Sequence, residues 1–585
     1  MGSAGGFTRA ARLEEVQRAG CLAVAVAGHT VALFAHQGRI YAVDNRCPHM
    51  GFPLHRGSVH DGILTCHWHH ARFDLATGGT FDLWADDVRT FPVEVRDGEV
   101  WVDVSPRQDA VTHQRTRLRD GLERGLNLVI AKAVIGLLAA GEDAAEPFRI
   151  GLEFGARHRE TGWGRGLTTL ACLMNLIFCL YPEDRARALY HGLSHVAVDC
   201  AGSPPRHGVR PLPGQPADVA ALRRWFRRFV EVRDAEGAER CIVSAVRAGA
   251  GARQIADMLF AAATDHRYAA GGHLLDFTNK ALEALDLAGW EFAEPVLGSL
   301  APGYAQAERM EESNAWRHPI DLVEVVEAAF EVIPDAAPAG RSKRGSWSGR
   351  EALVPILLGH DPQAIADALV DGLRQGATAV ELAAAVSYAA ALRVAHFARS
   401  NEFSDWDTAL HTFTFANAVE QGLRRLDGDS TEDPPALLRG VFDAAMSVYL
   451  DRFLNVPPAR LPEPARVQDP EGLLRELADV LDRQQQVDEA GALVADYLAS
   501  GGAPGRLLAA LGALLLREDR DFHTVQMIEA AFRQFRHLGN TPAGAHVLIA
   551  AARYLAAHAP TMRSQGQTFQ IAHRLHRGER LYADP

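Results

Sequence analysis

Cysteine is scarce in this chain: seven in 585 residues, an odd and scattered set that fits reduced thiols and a metal site better than a disulfide framework. No apolar run is long enough for a bilayer. The most hydrophobic helical stretch, residues 126–141, is interrupted by Lys132 and falls short of the roughly 20 residues that a span needs. No charged-then-apolar leader opens the chain. A basic stripe is lacking too, and a net charge of −13 argues against nucleic acid as a partner. Together these absences read as a cytoplasmic protein with neither membrane nor nucleic acid as partner, and long enough for several domains.

What is present falls into two textures. Up to about residue 105 the pattern alternates in the β manner, with short strands at Cys21–Val26, Val31–Ala35, Arg39–Val43, Val93–Val95 and Val100–Val104 separated by Gly, Asn and Asp turns. After Ser105 and Pro106 the chain becomes rich in Ala, Leu and Arg, with apolar residues three and four apart almost to its end. The fold class expected is therefore α+β multidomain: a small antiparallel β domain at 8–105, a linker and first helix at 106–145, a large all-α domain at 146–568 and a tail at 569–585. Pro, Gly, Ser or Asp-rich stretches at 202–216, 334–349, 427–435 and 457–470 punctuate the helical part.

The β domain carries the strongest motif. Cys47 and His49 flank Pro48, and after sixteen intervening residues Cys66 and His69 flank His67 and Trp68. Two thiols and two imidazoles also suit tetrahedral zinc, but zinc sites rarely combine this spacing with a β framework. The motif resembles that of Rieske ferredoxins and oxygenases, as do Gly51, Pro53, Leu54, Gly57 and the segment Arg72–Gly78. In a Rieske centre one iron is held by two thiolates and the other by two imidazoles. The resemblance, over roughly residues 10–105, implies a [2Fe-2S] cluster on Cys47, His49, Cys66 and His69, one-electron transfer, and a reductase or ferredoxin as donor. Two departures stand out: His70 occupies a position where the family usually has Gly, and the second cysteine pair of respiratory Rieske proteins is missing, which places the chain in the ferredoxin-like, low-potential branch. His55, His60, His67 and His70 read as surface or loop-packing residues.

The helical part contains a diverged duplication. Arg247, Gly249, Ala250, Ile255, Ala256, His273, Phe277 and Asn279 are echoed by Arg374, Gly376, Ala377, Leu382, Ala383, His411, Phe415 and Asn417. Fainter copies run from Leu498 through Leu507 to His523, and end at His191 and His195; Ala-rich helices show some self-similarity in any case. Repeated helical units need stacked neighbours to bury their faces, so a layered or bundle-like domain follows. His191 and His195 stand one helical turn apart, a spacing that can chelate a metal, although such a pair is more often packed or exposed. If the repeats converge on one cavity, His191, His195, His273, His411 and His523 form a set of neutral imidazoles suited to iron. The Asp-x-x-His-x4-His pattern of ring-hydroxylating oxygenases is absent.

The segments 189–196, 272–280 and 410–417 resemble the questin oxidase-like family of helical oxygenases. That resemblance implies a mononuclear non-haem iron held by several His, in some members with a carboxylated Lys, and an anthraquinone-type substrate. Lys280, seven residues after His273, is the candidate for such a carbamate, against an ion pair with Glu283. Glu153 and Asp276 are rival carboxylate ligands. The function expected is an oxygenase in which the cluster supplies electrons to the iron, dioxygen is co-substrate, and a hydrophobic, aromatic or polyketide-like molecule is oxidised. Close approach of cluster and iron is available within one chain or in a homo-oligomer. The competing expectation is an electron carrier or redox sensor whose helical domain docks a partner.

Overall fold

The computed structural model describes residues 6–105, 109–159, 161–214, 218–427, 434–454 and 457–582. The chain divides into two compact units, Met1–Asp143 with Gln567–Pro585, and Ala144–Gly566. In the first unit the strands, in order, are β1 (Phe7–Arg12), β2 (Cys21–Val26), β3 (His29–His36), β4 (Arg39–Asp44), β5 (Ser58–His60), β6 (Ile63–Thr65), β7 (Arg72–Asp74), β8 (Thr90–Phe91), β9 (Val93–Arg96) and β10 (Glu99–Asp103), with a short helix, α1 (Leu13–Ala19), after β1. They form three antiparallel sheets ordered β1-β10-β9, β2-β3-β4-β8 and β5-β6-β7.

Side chains on a strand alternate between faces, and β3 uses both. Val31 and Leu33 join a core with Ala42, Phe91, Val100 and Val102, while Ala32 and Phe34 join another with Leu54, Leu64, Phe73 and the two cysteines Cys47 and Cys66. The second core anchors the loops that carry the motif. Residues 106–145, expected as a linker with a first helix, instead contribute two helices to this unit: α2 (Ala110–Arg124), whose Asp109 cap accepts from the Thr112 amide, and α3 (Asn127–Ala139). Residues 569–582 of the expected tail are structured as well. Ser564–His576 is the last described helix, Arg46 donates to the Leu575 carbonyl at 3.2 Å, and the Tyr582 ring packs on Phe52 and Trp68 at 5.4 and 6.0 Å.

The second unit is helical, and no described helix is long and apolar enough to cross a membrane. One three-helix order recurs: Ala145–His158, Arg165–Leu176 and Arg185–Asp199; Ala235–Arg247, Ala252–Ala263 and His273–Ala288; Pro362–Arg374, Ala379–Ala395 and Phe403–Leu426; Val487–Ala499, Pro504–Leu516 and Phe522–Leu538. In the last three copies the first helix ends on a glycine in the left-handed region, Gly249, Gly376 and Gly501. The following amide then reaches back five residues, from Ala250 to Ala245, Ala377 to Gly372 and Gly502 to Tyr497, which satisfies carbonyls the helix end would leave bare.

One expected interruption begins later than Pro334: helix Leu322–Gly340 runs through Pro334 and Pro338, and the break falls between Gly340 and Arg350. Burial of Val326, Ala329, Ile333 and Ala336 holds the helix in place where local propensity would end it. Residues 215–216 and 428–433 of the other punctuating stretches lie outside the described residues. A Cβ at Gly376 would stand 2.6 Å from the Lys343 carbonyl, whereas one at Gly249 meets nothing within 4 Å. Gly249→Ala therefore costs only the left-handed backbone penalty of about 1–2 kcal/mol, and Gly376→Ala a further ~1–3 kcal/mol of overpacking. Urea or thermal unfolding of the two variants checks the ranking.

Candidate metal centres

The two loops of the Cys-His motif share one backbone geometry. The Cys47 amide donates to the Phe52 carbonyl and Gly51 donates back to Cys47; in the second loop Cys66 donates to Ala71 and His70 donates back to Cys66. Gly51 and His70 are thus equivalent, and both sit at positive φ, 80° and 62°. The turn needs a left-handed residue there, which accounts for His70 standing where glycine is usual. Both cysteines are buried in the same core. The neighbouring Cys47 thiol, with the backbone amides of Trp68 and His69, lowers the Cys66 thiol against the effect of burial. The Cys66 thiol, then burial, pushes Cys47 up, and the backbone amides of His49 and Met50 at its sulfur oppose this.

The imidazoles form a second pair. The His49 and His69 rings lie 5.0 Å apart, edge to face. Burial is the main cause that lowers both, His49 to about 4, so both are neutral at pH 7 and offer a lone pair. His49 Nδ1 is buried without a hydrogen-bond partner, an atom that a metal bond would satisfy. Thiols beside thiols and imidazoles beside imidazoles are the donor set of a [2Fe-2S] cluster with one iron on sulfur and one on nitrogen. The residues fit the group.

A second set of donors lies in the helical unit. His273, His411 and His523, one from each of three repeat copies, bring ligand atoms within 4.8 Å of one another. His411 Nε2 and His523 Nε2 are 2.9 Å apart, and the His273 ring lies 4.6 Å from His411 and 5.6 Å from His523. Their helices belong to a ring in which Phe403–Leu426 packs between the other two, and Arg165–Leu176 closes the circle against His273–Ala288 and Phe522–Leu538. Burial, then the neighbouring His273 and His523, lowers His411 to about 3. Carboxylates stand behind two of the rings: Asp276 Oδ2 lies 3.4 Å from His273 Nδ1 and accepts from Gln526 at 2.7 Å, while Asp521 and Asp407 lie 3.6 and 3.8 Å from His523 Nδ1. A carboxylate on Nδ1 leaves Nε2 free to bind a metal.

Residues 7–92 match the Rieske [2Fe-2S] domain. The 3-phenylpropionate/cinnamic acid dioxygenase ferredoxin subunit of Photorhabdus laumondii is 39% identical over 13% of this chain and 76% of its own length. The naphthalene 1,2-dioxygenase ferredoxin component of Pseudomonas aeruginosa is 32% identical over 16% of this chain and 93% of its own. The chain belongs to the Rieske [2Fe-2S] domain family. A solved ferredoxin of carbazole 1,9a-dioxygenase from Nocardioides aromaticivorans is 28% identical over 17% of this chain and 100% of its own, with a TM-score of 0.17. The Rieske domain carries electrons singly, as such clusters do.

Outside the Rieske domain the expected residues divide. His273, His411 and His523 come together; His191 and His195 do not join them, because the ring's fourth place is taken by Arg165–Leu176 and not by their own helix, Arg185–Asp199. Lys280 is a correction. Its Nζ lies 2.9 Å from Glu283 and 2.6 Å from Glu529; burial opposes its charge, but the two carboxylates outweigh this and hold its pKa above the ordinary lysine value. A carbamate needs the free amine, so this ammonium is an ion-pair partner. Glu153 pairs with Arg157 on an exposed face, and Asp276 stands behind His273. Asp407, Asp521 and Gln526 were not expected; the i+3 spacing of Gln526 from His523, matching that of Asp276 from His273, was the available signal.

His191 is fully buried and lowered to about 3, by burial first and then by Arg187 and His195. Its unfolded value is near 6.5, so between those values the unfolded state binds one more proton and stability falls as the pH falls. His191→Leu is expected to flatten the dependence of unfolding free energy on pH by on the order of 1.4 kcal/mol per unit between about 6 and 4, measured by denaturant titration at each pH.

Proposed function

We propose that this chain is an oxidoreductase that couples its Rieske cluster to a mononuclear non-haem iron held by His273, His411 and His523, and that it oxidises a hydrophobic, aromatic or polyketide-like molecule with dioxygen. The observation that carries this reading is the convergence of three imidazoles from three copies of one helical repeat, in a chain that also holds a one-electron carrier. His273, His411 and His523 would hold an iron through three nitrogens, and that iron would supply a site for dioxygen and for one-electron chemistry. The protein's own contribution is positional. Asp276, held by Gln526, faces Nδ1 of His273, and Asp521 with Asp407 faces Nδ1 of His523, so both rings present Nε2. Burial keeps His411 unprotonated, and the Phe277 and Phe522 rings beside His273, at 5.1 and 5.5 Å, give the site an apolar wall.

The substrate class rests on the resemblance to questin oxidase-like proteins, and the need for a reductase on the Rieske family. A second reading has one observation in its favour: the similar proteins named above are ferredoxin components of dioxygenase systems, so the chain is alternatively a carrier that serves a separate oxygenase. His411→Ala separates the two. Under the first reading the variant loses one iron per chain and substrate oxidation, while acid-labile sulfide and the visible cluster spectrum stay unchanged. Iron content equal to that of the unaltered chain favours the carrier.

A further inference from the structure

The most apolar helix of the first unit, α3, carries one charge, and that charge is buried against a cluster loop. The Lys132 side chain is only 9% exposed. Its Nζ donates to the carbonyls of Pro48 and His49 at 2.5 and 2.8 Å. Those carbonyls belong to the peptide units whose amides, on His49 and Met50, point at the Cys47 sulfur. The ammonium therefore sits at the far end of the same two peptide dipoles that face the thiolate. An N–H whose own carbonyl accepts a charged hydrogen bond is a stronger donor, because hydrogen bonds in series polarise one another.

The surrounding charges do not cancel this one. Asp86 Oδ2 lies 3.6 Å from Nζ, but the same carboxylate is already paired with Arg117 of α2, at 2.5 and 3.2 Å. Lys132, Asp86 and Arg117 together leave one net positive charge beside the sulfur-ligated side of the cluster. Reduction adds one electron to the cluster, no atom is transferred, and the added negative charge is stabilised by a buried cation and by hydrogen bonds to sulfur. Both effects act in the same direction.

We propose that Lys132 is a positioning residue that raises the reduction potential of the Rieske cluster, by charge and by polarising the His49 and Met50 amides. Lys132 lies beyond residues 7–92, the span that matches the Rieske domain, so the tuning comes from the α2–α3 pair that this chain adds to the domain. The proposal depends on the cluster and is independent of any metal that His273, His411 and His523 would hold.

The test is the midpoint potential of the cluster in the full-length holoprotein, followed by electron paramagnetic resonance during a redox titration, for Lys132→Gln, Lys132→Arg and Asp86→Asn. Lys132→Gln is expected to shift the reduction equilibrium by about tenfold toward the oxidised form, which is ~59 mV for a one-electron couple. Lys132→Arg retains most of the original value, and Asp86→Asn, which removes the opposing charge, moves the potential upward. A Lys132→Gln midpoint equal to that of the unaltered protein overturns the proposal and leaves Lys132 a structural pin. Should Lys132→Gln fail to hold its cluster, Asp86→Asn decides: a rise supports the proposal, and an unchanged or lower value overturns it.

Discussion

A thiolate buried in an apolar core is costly unless donors surround it, and in the first unit the fold answers that cost twice with one device. Each cluster loop turns so that its cysteine amide and carbonyl are engaged within the loop, which frees two further amides to point at the sulfur: those of His49 and Met50 at Cys47, and those of Trp68 and His69 at Cys66. The turn requires a left-handed residue, Gly51 in one loop and His70 in the other. The core of Phe34, Leu54, Leu64 and Phe73 then holds the loops against each other. Sheet order and register serve to present these two turns side by side.

The helical unit meets a different constraint. Imidazoles on long helices meet only if their helices pack against a common neighbour in the right phase. Repetition supplies that phase: a glycine-terminated helix, a second helix and a histidine-bearing third helix recur, and three of the third helices enter one ring. Deeper along that ring the polar residues satisfy one another, Lys280 with Glu283 and Glu529, and Asn175 with both carboxylates. These contacts join helices His273–Ala288, Arg165–Leu176 and Phe522–Leu538, two of which carry His273 and His523.

The Cys-His motif was legible from spacing because the chemistry of a Rieske centre dictates both residue type and interval. The strands around it were legible in β2, β3, β4, β9 and β10, where Val and other apolar residues alternate, and not in β1, where the alternation is weak, or in the two- and three-residue strands β5 to β8. The repeat histidines were legible because Phe277 and Phe415, and Asn279 and Asn417, keep step with them. His191 and His195 were misplaced because the sequence carries no sign that the first copy enters the ring through its second helix. Lys280 looked like a ligand from the questin oxidase-like resemblance and its helical phase; the rival ion pair with Glu283 is present, and its second partner on the facing helix, Glu529, is 249 residues away. Lys132 registered only as an interruption of an apolar run, since nothing local announces that its ammonium reaches two carbonyls more than 80 residues earlier.

Iron and acid-labile sulfide per chain, measured on anaerobically purified protein together with electron paramagnetic resonance after dithionite, test the presence of the two centres in one chain most directly. A Rieske signal with about three irons for every two sulfides is the expected result, since a [2Fe-2S] cluster accounts for only two of the irons. About two irons for two sulfides, with no other metal present and no binding of added ferrous iron, contradicts the account.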